Sequence, residues 1–207
     1  MRVLVLLVAV LSVPAHADEK KHGTPSQLSV ARTPDAKMCR HKVPAEVCTQ
    51  CNPRLAAGFK KAGDWCGEHG VPESQCWKCH PDLTFEPLPA LAADADVKSL
   101  SRAGEDVPSL TAHLAAGKVT IVDFWAPWCT PCRKIDAHVY ALLGKRKDLA
   151  LRKINVGSWD TPVAKRYLAK VPQLPYLMVY GKNGKLVAAI SGLDLAALDK
   201  AIAAGSR

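Results

Sequence analysis

The sequence predicts an α/β domain, a mixed sheet flanked by helices, preceded by a small Cys/His-rich module. One observation is a β-rich apolar run at 119–125 that is followed directly by a helical pattern. A second is the order of the later patterns, β-α-β-α-β-β-α, which is typical of a mixed sheet covered by helices. A third is the placement of six of the eight cysteines between Cys39 and Cys79, where large aliphatic residues are scarce.

Local patterns place the elements of the α/β domain, which we assign to residues 97–207. Glycines end two helices, at Gly117 and Gly144, and Thr161-Pro162 opens a third. A hairpin turn at 182–185 (K-N-G-K) joins the last two strands. The predicted order is helix 108–116, strand 119–125, helix 131–143, strand 149–156, helix 161–169, strand 176–180, strand 186–190 and helix 195–203.

The first 17 residues have the pattern of a secretory signal peptide. Arg2 precedes an apolar run over 3–13, and Ala15-His16-Ala17 is an A-x-A cleavage site. The run is shorter than the roughly 20 residues that span a bilayer, so we expect no stable membrane insertion. An uncleaved anchor and a buried strand are the alternatives. The pattern predicts a periplasmic or secreted protein whose mature chain starts near Asp18.

Two further segments are predicted to be flexible, and the charge is unevenly distributed. Residues 18–37 are polar and read as a leader, whereas residues 84–96 contain Pro87 and Pro89 and read as a linker. The formal net charge of +9 arises entirely from residue 97 onward. No basic and aromatic pattern typical of nucleic-acid binding accompanies it, so we expect no nucleic-acid partner. A basic surface favours acidic proteins or anionic membrane surfaces.

The other two cysteines, Cys129 and Cys132, lie where a predicted strand ends and a helix begins. The first amides of a helix carry partial positive charge and have no internal partners, so they stabilise a thiolate. Cys129 is therefore placed to attack a substrate disulfide, and Cys132 to resolve the mixed disulfide. Pro131 suits the first helical turn because its missing N–H would be unpaired there. An inert structural disulfide is the alternative.

The segment V-D-F-W-A-P-W-C-T-P-C, residues 122–132, resembles the active-site segment of the thioredoxin superfamily. The resemblance extends over about 100 residues. It implies thiol-disulfide exchange with protein thiols and disulfides, an electron-donor thiol-disulfide protein and no organic cofactor in the redox domain. The residues that it implies are Cys129 and Cys132 as catalytic pair, Asp123 as proton acceptor, Lys153 as partner of that acid, and Trp128 with the cis-proline loop Leu174-Pro175 for substrate binding.

Three positions differ from the family pattern: Thr130 stands where thioredoxin has glycine, Ala137 where a kinking proline is common, and Pro172 comes early before the cis-proline loop. These differences concern the reduction potential, which spans about −270 to −120 mV among related proteins. Proline before Cys132, and no histidine between the cysteines, favour the reducing side.

A tandem repeat occupies residues 38–83. Each copy supplies three cysteines and one histidine, with the histidine seven residues before a C-x-x-C pair. Three thiolates and one imidazole are the ligand set of a closed tetrahedral Zn²⁺ site, and soft ligands also suit Cu⁺. The predicted ligands are Cys39, His41, Cys48 and Cys51 in the first copy, and Cys66, His69, Cys76 and Cys79 in the second.

Beside a spent or purely structural module, two other interpretations of the repeat remain open. Three disulfides are common in exported Cys-rich segments, although they do not explain the recurring histidine. The C-x-x-C-H at 76–80 is the pattern of c-type haem attachment, but Asn52 replaces His80 in the first copy. The segment H-G-V-P-E-x-x-C-x-x-C is faintly similar to Cys-rich stretches of periplasmic metal-efflux adaptors, which implies metal-transport components as partners.

The combined patterns predict a periplasmic or secreted reductase that exchanges disulfides on protein substrates and carries a metal-binding module. An alternative is a metal-binding or delivery protein whose redox domain keeps its own or a partner's ligand cysteines reduced. A third is a haem-handling reductase acting on C-x-x-C-H proteins, suggested by residues 76–80.

Overall fold

The computed structural model describes residues 29–207, so the predicted signal peptide and the first part of the leader lie outside the described residues. The strands of the described range are β1 Ser29–Arg32, β2 Thr84–Pro87, β3 Asp96–Ser101, β4 Val119–Trp125, β5 Leu149–Asn155, β6 Tyr176–Tyr180 and β7 Leu186–Ser191. Its α-helices are α1 Ala56–Lys61, α2 Thr130–Lys145, α3 Pro162–Tyr167 and α4 Leu195–Gly205. None of these helices is long and apolar enough to cross a membrane.

The C-terminal domain is built on a five-stranded sheet in the order β3-β5-β4-β6-β7. Strands β3, β5 and β4 run parallel, whereas β6 is antiparallel to β4 and β7 is antiparallel to β6. Every residue of the central strand β4 except its last is buried, which explains its almost continuous apolar sequence. The sheet confirms the predicted mixed α/β architecture.

Helices cover both faces of this sheet because successive strand residues point in opposite directions. On one face, Ile121 of β4 packs in a cluster with side chains of α2 and α4, including Ile135 and Leu198. On the other face, Val122 and Phe124 pack with residues of α3 and of the N-terminal module. Helix α2 therefore extends from the end of β4 across a buried apolar surface that fixes its position.

Two predictions within the domain are corrected by the structure. The segment 108–116 forms a single 3₁₀ turn, Thr111–His113, rather than a helix, because Leu110 is its only fully buried side chain and the backbone becomes extended at Leu114. The strand β3 was not predicted, since its sequence D-V-K-S-L-S alternates weakly. It forms at the sheet edge by pairing with β5.

The leader and the linker also differ from the prediction of flexible segments. Residues 29–32 of the leader form β1, residues 84–87 of the linker form β2, and the two pair in parallel. Val30 of β1 is buried, and β1 packs against α2, so the pairing has an apolar anchor. Pro87 ends its strand, a position at which a missing N–H is tolerated.

The module between these strands shares its core with the C-terminal domain. Phe59 of α1 is buried in the same cluster as Trp128, Cys129 and Cys132. The described part of the chain therefore has a continuous core that runs from the Cys/His module into the C-terminal domain.

Candidate active site and metal-binding clusters

The predicted redox pair lies at the N-terminus of α2, directly after the loop that follows β4. Cys129 is the N-cap residue, and its Sγ accepts a hydrogen bond from the backbone N–H of Cys132 at 3.2 Å. The two cysteines form a disulfide. Pro131 occupies the first turn, as the sequence predicts. The helix amides therefore point at the sulfur that would carry the thiolate in the reduced pair.

A buried charge cluster lies where β4, β5 and α2 meet. Asp123 and Lys153 are register partners on neighbouring strands, with Lys153 Nζ 3.4 Å from Asp123 Oδ2. Lys153 also makes a close ion pair with Asp136 of α2, which in turn lies 3.5 Å from Arg133 Nη1. Within residues 29–207, neither carboxylate oxygen of Asp123 accepts a hydrogen bond.

This environment makes Asp123 a weak acid. Complete burial removes the water that would solvate the Asp123 charge and raises the pKa of Asp123 to about 7. The repulsion of Asp136 also raises this pKa, whereas the attraction of Lys153 lowers it. Burial lowers the pKa of Lys153, but Asp123 and Asp136 outweigh it and hold that pKa above its usual value. A carboxyl group that titrates near neutral pH can both accept and release a proton there.

A cleft of about 260 Å³ opens beside Cys129 and Pro131. Trp128 forms part of its wall and is fixed by a hydrogen bond from its Nε1 to the carbonyl oxygen of Gly157 at 2.7 Å. Trp159 lies next to Trp128, with ring centroids 6.1 Å apart. Lys61 of the module also lines the cleft, with its Nζ 5.1 Å from the Trp159 ring centroid.

The loop before β6 contributes the remaining wall. Leu174 lines the cleft together with Gln173, and the Leu174–Pro175 peptide bond is cis. The carbonyl oxygen of Pro175 accepts a hydrogen bond from Gly192 N–H at 2.8 Å, which fixes the loop against the end of β7. The structure therefore brings Cys129, Trp128 and Leu174 to one cleft, and Asp123 with Lys153 to the buried cluster.

The eight predicted metal ligands gather into two clusters, one for each copy of the repeat. In the first, Nδ1 of His41 lies 3.4–3.7 Å from the three sulfurs. In the second, Nδ1 of His69 lies 3.3–3.4 Å from its three sulfurs. Zn–S bonds near 2.3 Å and Zn–N bonds near 2.0–2.1 Å in a tetrahedron place N and S about 3.6 Å apart. Both clusters could therefore hold a metal ion.

The positions of the module's cysteines and of His80 bear on the disulfide and haem interpretations of the repeat. The six cysteines of the module are unpaired in the structure, and the sulfurs of Cys66 and Cys79 lie 3.6 Å apart, well beyond the roughly 2.05 Å of a disulfide bond. His80, which the haem pattern requires, turns to Glu73, with Nε2 3.1 Å from Oε2. Cys76 and Cys79 converge instead on His69.

The module contacts the redox loop directly. Thr130 Oγ1 donates a hydrogen bond to Asp64 Oδ2 at 2.7 Å. Gly58 of α1 packs so closely on Trp128 that a Cβ atom there would lie 2.3 Å from the indole ring. The sequence reasoning did not find Asp64, Lys61 or Asp136. Asp136 lies four residues after Cys132 on α2. The sequence feature that could have identified it is a charged residue within the apolar pattern of a buried helix.

Comparisons with known proteins locate the chain among thioredoxins. A thioredoxin family model matches residues 108–204. Thioredoxin-2 of Saccharomyces cerevisiae is 36% identical over 91 residues, which cover 44% of this chain and 84% of that protein. The thiol:disulfide interchange protein HelX of Rhodobacter capsulatus is 29% identical over 145 residues, which cover 68% of this chain and 69% of that protein. The crystal structure of spinach chloroplast thioredoxin f aligns with a TM-score of 0.45 at 18% identity, covering 57% of this chain and all of that one.

The fold and the redox pair define a thiol-disulfide oxidoreductase. The chain belongs to the thioredoxin family. The family model begins at residue 108, so the Cys/His module lies outside the matched residues.

Proposed function

We propose that the protein is an exported reductase that transfers two electrons to disulfides of other proteins and carries a metal-stabilised module beside its redox site. The observation that supports the reductase is the Cys129–Cys132 pair at the start of α2, beside a cleft that Cys129 and Leu174 both line. An electron-donor thiol-disulfide protein restores the reduced pair after each cycle.

The reaction proceeds by two sulfur exchanges. The Cys129 thiolate attacks one sulfur of the substrate disulfide, forming a mixed disulfide and releasing the other substrate sulfur as a thiolate. The Cys132 thiolate then attacks Cys129 Sγ, which forms the Cys129–Cys132 disulfide and releases the second substrate thiolate. Lys153 stabilises the Asp123 carboxylate, which accepts the proton that Cys132 gives up and becomes a neutral carboxyl group. The substrate gains two electrons and two protons in total.

The shape of the cleft defines the kind of substrate. Cys129 is only 2% exposed, and aromatic side chains, the cis-proline loop and Lys61 surround its sulfur. A substrate cysteine therefore has to enter on an extended segment that fits between the loop and α1. Trp128, Leu174 and Pro175 contact that segment.

Turnover of insulin disulfides by reduced protein tests the reductase. Cys129→Ser should lose more than about 1000-fold in rate because it removes the nucleophile. Cys132→Ser should retain the first attack and accumulate a mixed disulfide visible on a non-reducing gel. Residual turnover of Cys129→Ser close to that of wild type would contradict the proposal.

The module holds two Zn²⁺ ions, one for each Cys₃His cluster, with Cu⁺ as the alternative. The ligands in the first cluster are Cys39, His41, Cys48 and Cys51, and in the second Cys66, His69, Cys76 and Cys79. Four protein ligands leave no open position, so the ions supply structure rather than catalysis. Elemental analysis of purified protein should give about two ions per chain. A Soret band near 410 nm, or six oxidised cysteines without metal, would exclude this assignment.

Export follows from the N-terminal pattern at residues 1–17, which lies outside the described residues. The protein then acts in the periplasm or in the medium. Expression in a bacterium, followed by fractionation and N-terminal sequencing, should find a chain that starts near Asp18. Retention of residues 1–17 in the cytoplasmic fraction would contradict export.

A metal-delivery function, in which the redox pair keeps ligand cysteines reduced, requires those cysteines to reach Cys129. In the described part of the chain, the module residues that line the cleft are Lys61 and Ala62, and the ligand sulfurs turn instead toward His41 and His69. This arrangement favours client proteins over the module's own ligands. Full metal loading of Cys129→Ser under oxidising conditions would remove the self-reduction function, whereas loss of loading would support it.

A further inference from the structure

The module places a carboxylate at the residue between the two redox cysteines. Asp64 Oδ2 accepts a hydrogen bond from Thr130 Oγ1 at 2.7 Å. Ser74 fixes the same carboxylate, donating its N–H to Oδ1 at 2.9 Å and its Oγ–H to Oδ2 at 2.6 Å. Ser74 Oγ also lies 3.3 Å from Thr130 Oγ1. The orientation of Asp64 is therefore set by three hydrogen bonds, and it faces the redox loop.

The position of this charge matters for the chemistry. Thr130 is the first residue of α2 and follows Cys129 directly, so the carboxylate lies near the helix N-terminus on which the Cys129 thiolate depends. A second negative charge there competes with the thiolate for the partial positive charge of the amides. It raises the free energy of the reduced, ionised pair and leaves that of the disulfide nearly unchanged.

We propose that Asp64 is a positioning residue of the redox reaction, which orients Thr130 and makes the Cys129–Cys132 pair more strongly reducing. The inference goes beyond the oxidoreductase activity because it assigns control of that activity to a residue outside the thioredoxin domain. The hydroxyl group of Thr130 connects Asp64 to the redox loop. A glycine at this position has no hydroxyl and would leave Asp64 without its hydrogen-bond donor in that loop.

Neighbouring groups do not account for the same effect. The eight metal ligands form complete clusters without Asp64. Arg133, on the first turns of α2, stacks on Trp125 at 5.0 Å and contacts Asp136. Lys61 lines the cleft with Cys129, and its positive charge acts in the opposite direction to Asp64.

Asp64→Asn tests the proposal because it removes the charge and keeps an oxygen that accepts from Thr130. Equilibration with glutathione buffers, read by thiol alkylation, gives the reduction potential, and the pH dependence of alkylation gives the pKa of Cys129. We expect the equilibrium to shift three- to tenfold toward the dithiol, where tenfold corresponds to about 30 mV. The pKa of Cys129 should fall by about 0.5–1 unit, less at high salt.

Two controls separate charge from local structure. Asp35→Asn removes an exposed carboxylate of the leader, outside the module, and should leave both values unchanged. Thr130→Val removes the hydroxyl but keeps the Asp64 charge, so its shift should be less than half that of Asp64→Asn, and Thr130→Ser should restore wild-type values. Metal content and far-UV circular dichroism establish that each variant is folded. Asp64→Ser carries the same expectation if Asp64→Asn folds poorly.

A folded Asp64→Asn protein with wild-type potential and wild-type Cys129 pKa would overturn the proposal. Equal shifts in Asp64→Asn and Thr130→Val would also overturn it, because a variant that keeps the Asp64 charge should not match one that removes it.

Discussion

The Cys/His module and the thioredoxin domain use the same residue type for opposite purposes. In the domain, Cys129 and Cys132 react, and a sheet with apolar side chains on both faces holds them. In the module, six cysteines face two histidines and take the place of an apolar core. Three of the module's six buried apolar side chains are cysteines of these clusters; the six are Val43, Cys48, Phe59, Cys66, Cys76 and Leu83. The redox pair is fixed by buried secondary structure, whereas the module's cysteines cluster around one imidazole in each copy of the repeat.

The largest expected effect comes from removing one histidine of the Cys/His clusters, which we propose to be a metal ligand. His69→Asn leaves the second cluster with three thiolates, and structural Zn²⁺ sites contribute about 10 kcal/mol or more to folding. Hydrogen exchange read by mass spectrometry should show fast exchange over residues 38–83 and unchanged protection in β4 and β5. His80→Asn is the matched control because His80 pairs only with the half-exposed Glu73. Equal exchange in the two variants would mean that the cluster holds no structural ion.

The buried acid of the thioredoxin domain gives the next largest effect. The pKa of Asp123 is about 7 in the folded protein and about 4 when unfolded, so the folded state binds the extra proton between these values. The contribution of Asp123 to stability therefore falls as pH rises from about 4 to 7. Asp123→Asn should be more stable by about 2–4 kcal/mol at pH 8, with no gain below pH 4.

Urea unfolding at both pH values measures the gain in the oxidised protein. Asp94→Asn serves as control, since its ion pair with Lys147 is exposed and should contribute little at either pH. A gain for Asp123→Asn that is equal at pH 4 and pH 8 would contradict the assigned titration.

The contact between the two regions should be sensitive to one added methyl group. Gly58→Ala would place Cβ 2.3 Å from the Trp128 ring and should destabilise the protein by about 1–3 kcal/mol. Gly144→Ala, also on a helix, meets no atom within 4 Å and should stabilise by up to about 1 kcal/mol. Urea unfolding followed by tryptophan fluorescence measures both. The same sign in both variants would show that α1 does not pack on Trp128.

The smallest effect should arise from the charge that the module adds to the cleft. Lys61→Glu should raise KM about threefold for a substrate peptide with acidic residues beside its disulfide and lower it for a basic one. Lys60→Glu is the control, because Lys60 stacks on Trp65 and does not line the cleft. Steady-state reduction of the two peptides measures the difference. Identical KM values for wild type and Lys61→Glu would remove Lys61 from the substrate site.

Local patterns were sufficient for the redox loop and the ligand clusters. The strand-to-helix transition at residues 119–145 depends on a continuous apolar run and on Pro131, which lie close together in the sequence. The eight Cys and His residues of the clusters follow from a repeat with one histidine spacing. Asp136, by contrast, is connected to Asp123 through Lys153 on another element, and the β1–β2 pairing joins short segments whose individual patterns are weak. Contacts between distant, weakly patterned segments were not predictable because each depends on the assembled fold.

The parallel pairing of β1 with β2 has a consequence for the module in its metal-free state. Ser29 lies beside Thr84 and Arg32 beside Pro87, so residues 33–83 form a loop whose two ends stay together without any ion. The entropic cost of closing a loop increases only slowly with the length of the loop. Here the β1–β2 pairing offsets that cost before a metal ion binds. An ion that returns to an emptied cluster therefore orders a tethered loop and not a free chain. Removal of metal should be reversible while the sheet of the thioredoxin domain remains folded.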